Sequence, residues 1–562
     1  MLKPSTTTDP VTEAASSEGA ARSTTPAALA IRKARRLSRG ASEGEAALNA
    51  AREILPMIAD HPRALELQLV AARMFEKSRI RDEARAVWRG VHDRWPEAEE
   101  PFRMLLRWTV RDQGVAAARA ELDARYPKMP QDSVSEQLAY ARCLTEVRAH
   151  GEAATVYKMV LNREPCHEEA LTNFVKFATS RGEPWVAYDA LQRAGQHGPL
   201  PRALERKRQE HALNASWLVE ELQSDLHAQG AAPNPCEGRR DLVLASSTGS
   251  ALRAAAIRKA VMSSDVLRRP FERRRRALGP IVMINSSLAT GGAERQFVRV
   301  ARHLHKAAKD ERVIGSTTVS GDVEVWCRSL VSRPDAGFFA ADLREAGVPV
   351  REIRNFVEDK NPALAAPLSS IAAYEQWLPR DMVWGLQRMS RKLLVKAPEV
   401  VSIWQDGMIG VSALAALMAG VPRIVLNFRG MPPSQRLHLL KPEYEPLYTA
   451  LLNAPNVAFT ANSEASARAY AEWLNVDEGR FHVIYNGVDT PSATGSQSDT
   501  IRWAEFEMRT GVDGAETLGA VMRFDENKRP FEWLEIAARV LARRPQARFV
   551  LVGAGPLWNE AQ

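Results

Sequence analysis

The chain reads as an α/β protein: a helical repeat region followed by two parallel-sheet domains, of which the second is only begun. Three observations carry that reading. Apolar residues recur at three- and four-residue intervals from 41 to about 222, the period of amphipathic helices. From 280 onward, short β-branched runs alternate with helical stretches, as in consecutive βαβ units. The stretch 517–557 then repeats the pattern: a strand over 518–522, a polar loop, a helix, and a second strand over 549–552. Sheets of this kind bind ligands at the carboxyl ends of their strands.

A chain of 562 residues exceeds one core and is expected to divide into roughly three or four domains. Hydrophobic residues make up 45% and charged residues 26%, the balance of a soluble globular protein. Cys143, Cys166, Cys236 and Cys327 are far apart and show no CxxC spacing, which argues against a disulfide framework or zinc site and for a reducing cytoplasm. No apolar run reaches the length of a membrane span, and the amino terminus lacks the apolar core of a secretion signal. The net charge of +8 is concentrated in Arg32 to Arg39 and above all in the arginine-rich stretch from Arg268 to Arg276. That second run is expected to be a solvated linker. A peripheral contact with a membrane surface at its inner face, or with an anionic acceptor, is the alternative. No nucleic-acid motif accompanies it, so specific nucleic-acid binding is not expected.

In chain order, residues 1–40 are small and polar and are expected to be a disordered tail. Residues 41–222 contain a repeat. Ala50 to Pro62, Ala84 to Pro96 and Ala153 to Pro165 share one offset, and prolines at 62, 96, 127 or 130, and 165 recur at about 34 residues. This resembles tetratricopeptide repeats, with Val115 standing where the third copy should have its alanine. Such arrays bind peptides or partner proteins on a concave face, so a protein partner is the expectation. Residues 223–279 read as a basic linker with one embedded helix, and the helical region is therefore expected to be separable from the sheet domains.

Residues 280–490 form the first sheet domain. A strand over 281–284 leads into Ser286 and then Gly291-Gly292-Ala293-Glu294-Arg295, followed by a helix. A glycine turn between strand and helix lets backbone approach a phosphate. The spacing is not GxGxxG, which disfavours a nicotinamide cofactor. Strands near 324–326, 348–353, 400–404, 423–426, 457–460 and 482–489 come next, with helices near 340–346, 371–395 and 409–419. Gln405 and Asp406 end the strand over 400–404, where a polar pair can meet a sugar or acceptor hydroxyl. Asp406 is the candidate base or hydrogen-bond partner, or else a helix N-cap. Arg429, in the loop after the next strand, is expected to face the acceptor.

Residues 491–516 make an interdomain connection with a short helix around Trp503, and 517–562 open a second sheet domain. Arg523 and Lys528 flank its first loop, suited to grip an anion from two sides. Pro530 marks the start of a helix whose amino terminus points to the same place. Gly553 and Gly555 form the loop after the second strand.

Three motifs in this order resemble the retaining glycosyltransferases of family 4, with their GT-B fold of twin Rossmann-like domains. They are Gly-Gly-Ala-Glu-Arg after the first strand, Ile-Tyr-Asn-Gly-Val-Asp at 484–489, and Arg523 and Lys528 before a helix and Gly-Ala-Gly-Pro. The resemblance implies that Arg523 and Lys528, with Gly291 and Gly292, hold the diphosphate of a nucleotide-sugar donor, and that Gly553 and Gly555 lie on the nucleotide side. It implies hexosyl transfer to an acceptor hydroxyl, on a sugar or lipid-linked acceptor, in bacterial polysaccharide or glycoconjugate synthesis. No cofactor or metal is expected, since cations and helix dipoles can meet the leaving diphosphate. The family's Glu-X7-Glu element is absent from these residues, so the chain as given is expected not to turn over substrate. The alternatives are a scaffold that uses only the repeats, and another GT-B nucleotide-sugar enzyme such as an epimerase.

Overall fold

A computed structural model of the chain describes residues 25–41, 43–222, 244, 247–269, 277–356, 369, 371–488, 497–510 and 516–562. They divide into two compact units, residues 1–485 and 486–562.

The first unit opens with a run of helices from Pro26–Gly40 to Arg202–Ala215, most of them packed on their sequence neighbours. Residues 26–40, expected to belong to a disordered tail, form a helix, and residues 1–24 lie outside the described residues. Thr25 caps the first helix by accepting from Ala28 N, Pro26 fits its first turn, and Ala34 is fully buried against the next helices.

The repeat is more regular than the prolines implied. Ala50, Ala84, Ala118, Ala153 and Ala187 are all buried, and they recur at about 34 residues. The third small residue is Ala118, while Val115 is exposed. Pro62, Pro96, Pro127 and Pro165 each come just after the C-cap of a helix. The helix Val115–Arg125 has 11 residues where its counterparts Arg81–Arg94 and His150–Arg163 have 14. Its proline therefore comes early, and counting back from it lands on the wrong residue. Ion pairs link successive repeats, among them Arg73–Glu100 (2.6 Å), Arg85–Asp112 (2.6 Å) and Arg142–Glu169 (2.8 Å). Part-exposed pairs of this kind contribute at most about 1 kcal/mol each.

The sheet domain has seven parallel strands: β1 (Ile281–Asn285), β2 (Val323–Cys327), β3 (Val350–Glu352), β4 (Val400–Trp404), β5 (Arg423–Phe428), β6 (Val457–Ala461) and β7 (Phe481–Val483). Their order is β7-β6-β5-β4-β1-β2-β3. Every residue of β1 and β2 is buried, because helices cover both faces. The chain steps outward from β1 in both directions, so the switch point lies between β1 and β4.

Three expectations need correction here. The helix foreseen over 371–395 is a 3-10 turn, Glu375–Trp377, followed by a helix Arg380–Lys396. Pro379 separates them, because proline has no N–H to continue a helix and restricts the residue before it. The strand foreseen over 482–489 ends at Val483, with Ile484 N making its last bond, to Ala461 O, and Tyr485 already exposed. Asp489 lies outside the described residues.

The third correction concerns the linker. Residues 223–243 and 270–276 lie outside the described residues, and so does most of the arginine run. The helix Gly249–Ser263, however, is no linker element. Its Leu252, Ala255, Ala256, Ile257, Ala260 and Val261 share one core with Tyr188 of the repeats and with Val282, Ile284 and Ile403 of the sheet. Trp377 meets Tyr188 edge-on at 5.9 Å and donates Nε1 to Asn214 O at 3.3 Å. The repeats and the sheet domain are therefore welded, not separable. Arg269 donates to the carbonyls of Gly420 (3.1 Å), Ala397 (3.2 Å) and Pro398 (2.7 Å), so this member of the arginine run serves packing.

The second unit holds the helix Gln497–Thr510, then β8 (Thr517–Val521), the helix Pro530–Leu541 and β9 (Arg548–Val552). The two strands pair in parallel, from Thr517 opposite Arg548 to Val521 opposite Val552. In β8, Leu518 is 46% and Val521 85% exposed. Trp533 of the second helix packs edge-on against Phe549 at 5.6 Å, and Arg548 of β9 lies against Trp503 and pairs with Glu507 of the first helix.

Candidate functional site

A cleft of about 500 Å³ opens at the carboxyl ends of the parallel strands. Ser286 follows β1, Arg328 follows β2, Gln405 and Asp406 follow β4, and Arg429 follows β5. Arg436, His438 and Lys441 of the segment between β5 and the helix Tyr444–Leu452, and Tyr444 at the start of that helix, also line it.

Three of the residues singled out from sequence meet here. Gln405, not Asp406, is the N-cap of the helix Asp406–Met418, and its φ of 67° places it in the left-handed region. Non-glycine residues pay about 1–3 kcal/mol to sit there, and such strain clusters at functional sites. Its backbone N–H donates to Asn427 O at 3.0 Å, which ties the end of β4 to β5. Its side chain donates Nε2 to Glu294 Oε1 at 3.1 Å.

Asp406, released from capping, turns its carboxyl inward. Oδ1 accepts from Tyr470 at 2.7 Å and Tyr448 at 2.9 Å, and Oδ2 accepts from Arg436 at 3.4 Å. Burial pushes its carboxyl above the usual range, against those two hydroxyls and the arginine, which pull it down. A carboxyl engaged in this way positions Arg436.

Arg429 reaches over the Trp404 ring, its guanidinium carbon 4.5 Å from the centroid. Trp404 is braced edge-on by Phe297 at 5.4 Å and by its Nε1 bond to Ser402 at 3.1 Å. Burial pulls the Arg429 guanidinium down to about 10. Ser466 holds the following turn by donating to Gly430 O at 2.7 Å.

Among the lining residues that escaped the sequence reading are Arg328, Arg436, Lys441 and Tyr444. Arg328 stands directly after a strand, where the rule that found Gln405 would also have found it. Arg436 and Lys441 lie in a loop without period, where only Arg436-x-His438-x-x-Lys441 between prolines hinted at them, and Tyr444 opens the next helix. Asp381 ties two cations together, accepting from Arg328 at 3.0 Å and from Lys441 at 2.7 Å.

The glycines behave differently from one another. A side chain on Gly291 would strike Glu294 Oε2 at 1.9 Å, while Gly292 has open space around it. Gly291 is the N-cap of the helix Gly292–Lys309, and neither glycine lines the cleft. Through Glu294 and Gln405, their loop is nonetheless fastened to the cleft's edge.

In the second unit, Arg523 and Lys528 are exposed on the loop before the helix Pro530–Leu541. Arg523 pairs with Asp525, whose Oδ1 also accepts from Lys528 N at 3.2 Å. Gly553 and Gly555 are there for backbone approach. An added Cβ would meet Met522 O at 1.8 Å and Phe524 O at 2.3 Å respectively. Phe524 N donates to Ala554 O and Leu557 N to Phe524 O, both at 3.0 Å. The two loops are therefore one packed structure, with Arg523 on it. Among the described residues, no three His, Cys, Asp or Glu side chains are grouped as metal ligands would be. No described helix is long and apolar enough to cross a membrane.

Fold and cleft together define a Rossmann-like domain with a polar site at its switch point. Residues 290–491 match Glycosyltransferase Family 4. The chain is 39% identical over 294 residues to the Vi polysaccharide biosynthesis protein VipC/TviE of Salmonella typhi, covering 51% of this chain and 50% of that protein. It is 30% identical over 166 residues to a Bacillus subtilis (strain 168) protein named "Putative glycosyltransferase EpsF", covering 28% of this chain and 40% of that one. The chain thus spans half or less of the length of these curated relatives. A solved Thermobaculum terrenum O-GlcNAc transferase mutant aligns at 13% identity over 70% of this chain and 75% of its own, with a TM-score of 0.21. That overlap is too low for the two folds to be equated.

Proposed function

We propose that the chain is part of a retaining glycosyltransferase that moves a hexose from a nucleotide-sugar to an acceptor hydroxyl in polysaccharide assembly. The observation that carries this reading is the cleft at the switch point, built from Gln405, Asp406 and Arg429 inside the segment that matches the family. In this reading the cleft takes the acceptor. Arg523 and Lys528 take the donor diphosphate, as paired cations on a loop that leads into a helix amino terminus. Stabilising the departing diphosphate then needs charge and dipoles rather than a bound metal. The name of the Salmonella typhi relative supports the polysaccharide setting, and that of the Bacillus subtilis relative supports sugar transfer. The repeats, with a second hollow of about 190 Å³ around Phe174 and Asp189, are the candidate surface for a protein partner.

The test is calorimetric titration of the 562-residue chain with uridine and guanosine diphosphates, with and without EDTA. Binding by one of them that is insensitive to EDTA, and weakened about 1.5–3 kcal/mol by Arg523→Ala, is the expected result. Equal affinity in the variant, or binding abolished by EDTA and restored by magnesium, would overturn the assignment of the donor site.

A further inference from the structure

The cleft's charge goes beyond what acceptor binding by itself requires. Arg328, Arg429, Arg436 and Lys441 all line it, whereas Asp406 is its one acidic lining residue among those described. They come from separate parts of the fold: the end of β2, the end of β5, and the loop between β5 and the helix Tyr444–Leu452. Carboxylates set three of them in place. Asp381 draws Arg328 and Lys441 to one point, and Asp406 holds Arg436. Asp406 itself is only 14% exposed, with both its oxygens engaged. Cations gathered in a concave site focus the field and raise the local concentration of anions. A neutral saccharide entering here would offer hydroxyl acceptors to these donors but no charge to offset the desolvation of the cations, whereas an anion offers both.

From the convergence of these four cations we infer that the cleft recognises an anionic acceptor, a saccharide bearing a carboxylate or a phosphate. The inference rests on the reading of this cleft as the acceptor site. Planar guanidinium groups suit either oxyanion, since both present paired oxygens to a fork of donors. Met408, Leu439 and Tyr444 in the same walls supply apolar surface for the ring of the sugar.

The experiment uses the 562-residue chain and three probes with one ring: glucuronate, glucose 6-phosphate and glucose. Binding is followed by saturation-transfer NMR and calorimetry at rising sodium chloride. At least one anion should bind about tenfold or more tightly than glucose, and salt should weaken it. Lys441→Gln and Arg436→Gln should each weaken that anion severalfold while glucose is unaffected. Should Arg436→Gln fail to fold, Arg328→Gln takes its place. Preference for glucuronate assigns a carboxylate-bearing acceptor, preference for glucose 6-phosphate a phosphorylated one, and equal binding assigns charge as the determinant. Glucose binding as tightly as the anions, no binding by either anion, or unchanged affinity in the variants would overturn the inference. If a nucleoside diphosphate still binds through Arg523 while the anions fail, the transferase reading survives and this inference alone falls. If nucleotide and saccharides all fail, both fall.

Discussion

The hydroxyl of Tyr470 donates to Oδ1 of Asp406 over 2.7 Å, fixing the first residue of the helix Asp406–Met418 to the helix Glu464–Leu474. Removing that donor by Tyr470→Phe leaves a buried carboxyl short of a partner and should cost about 1–3 kcal/mol. Because burial raises the Asp406 carboxyl above its ordinary value, the folded chain keeps its proton to higher pH than the unfolded chain does. Its contribution to stability is full below the unfolded pKa and is lost as pH rises through the folded one. Asp406→Asn carries no such titration. Urea denaturation at stepped pH should therefore show the native chain losing stability relative to Asp406→Asn from the ordinary carboxylate range upward. A pH-independent difference would contradict the raised value.

Leu252 is fully buried between the repeats and the sheet domain. Leu252→Ala should cost about 2–5 kcal/mol, the range for a core leucine. A chain starting at residue 277 exposes the same core surface and should aggregate or unfold without cooperativity. A stable truncated protein with a sharp urea transition would show that the shared core is dispensable.

Gly385 lets the helices Arg380–Lys396 and Asp406–Met418 touch through their backbones: a Cβ added there would lie 1.8 Å from Val411 O. Gly385→Ala must push the second helix away, and with it Gln405 and Asp406. A loss of about 1–3 kcal/mol is expected, read as a lower urea midpoint. Weakened saccharide binding in a variant that remains folded would show the displacement reaching the cleft.

The parallel sheet was legible because its strands are buried on both faces, and such strands read as unbroken apolar runs bounded by glycine and proline. Gln405, Asp406 and Arg429 were legible for a related reason: the carboxyl end of a strand is a position the sequence marks. Arg436 and Lys441 were not, because their loop has no period, and the ion pairs with Asp406 and Asp381 span stretches that only folding brings together. The role of Asp406 changed in the same way. Sequence allowed it to be a base or a cap, and the hydroxyls of Tyr448 and Tyr470 made it an anchor.

By itself the sequence determined the helical period of the repeats, the order of the strands along the chain and the placing of Arg523 and Lys528 on a loop before a helix. Each is a local matter of period, turn chemistry and strand ends. Only the tertiary structure decided that the helix Gly249–Ser263 is core. Pro, Gly, Ser and arginine surround it in sequence, and its buried residues lie on more than one face, so no amphipathic stripe marks its inner side. Its Arg253 is 7% exposed, 5.0 Å from the Trp185 ring and 3.9 Å from Glu443. A buried cation is tolerated only where such partners converge, and those partners lie on either side of it in the chain, in the repeats and beyond the sheet's fifth strand.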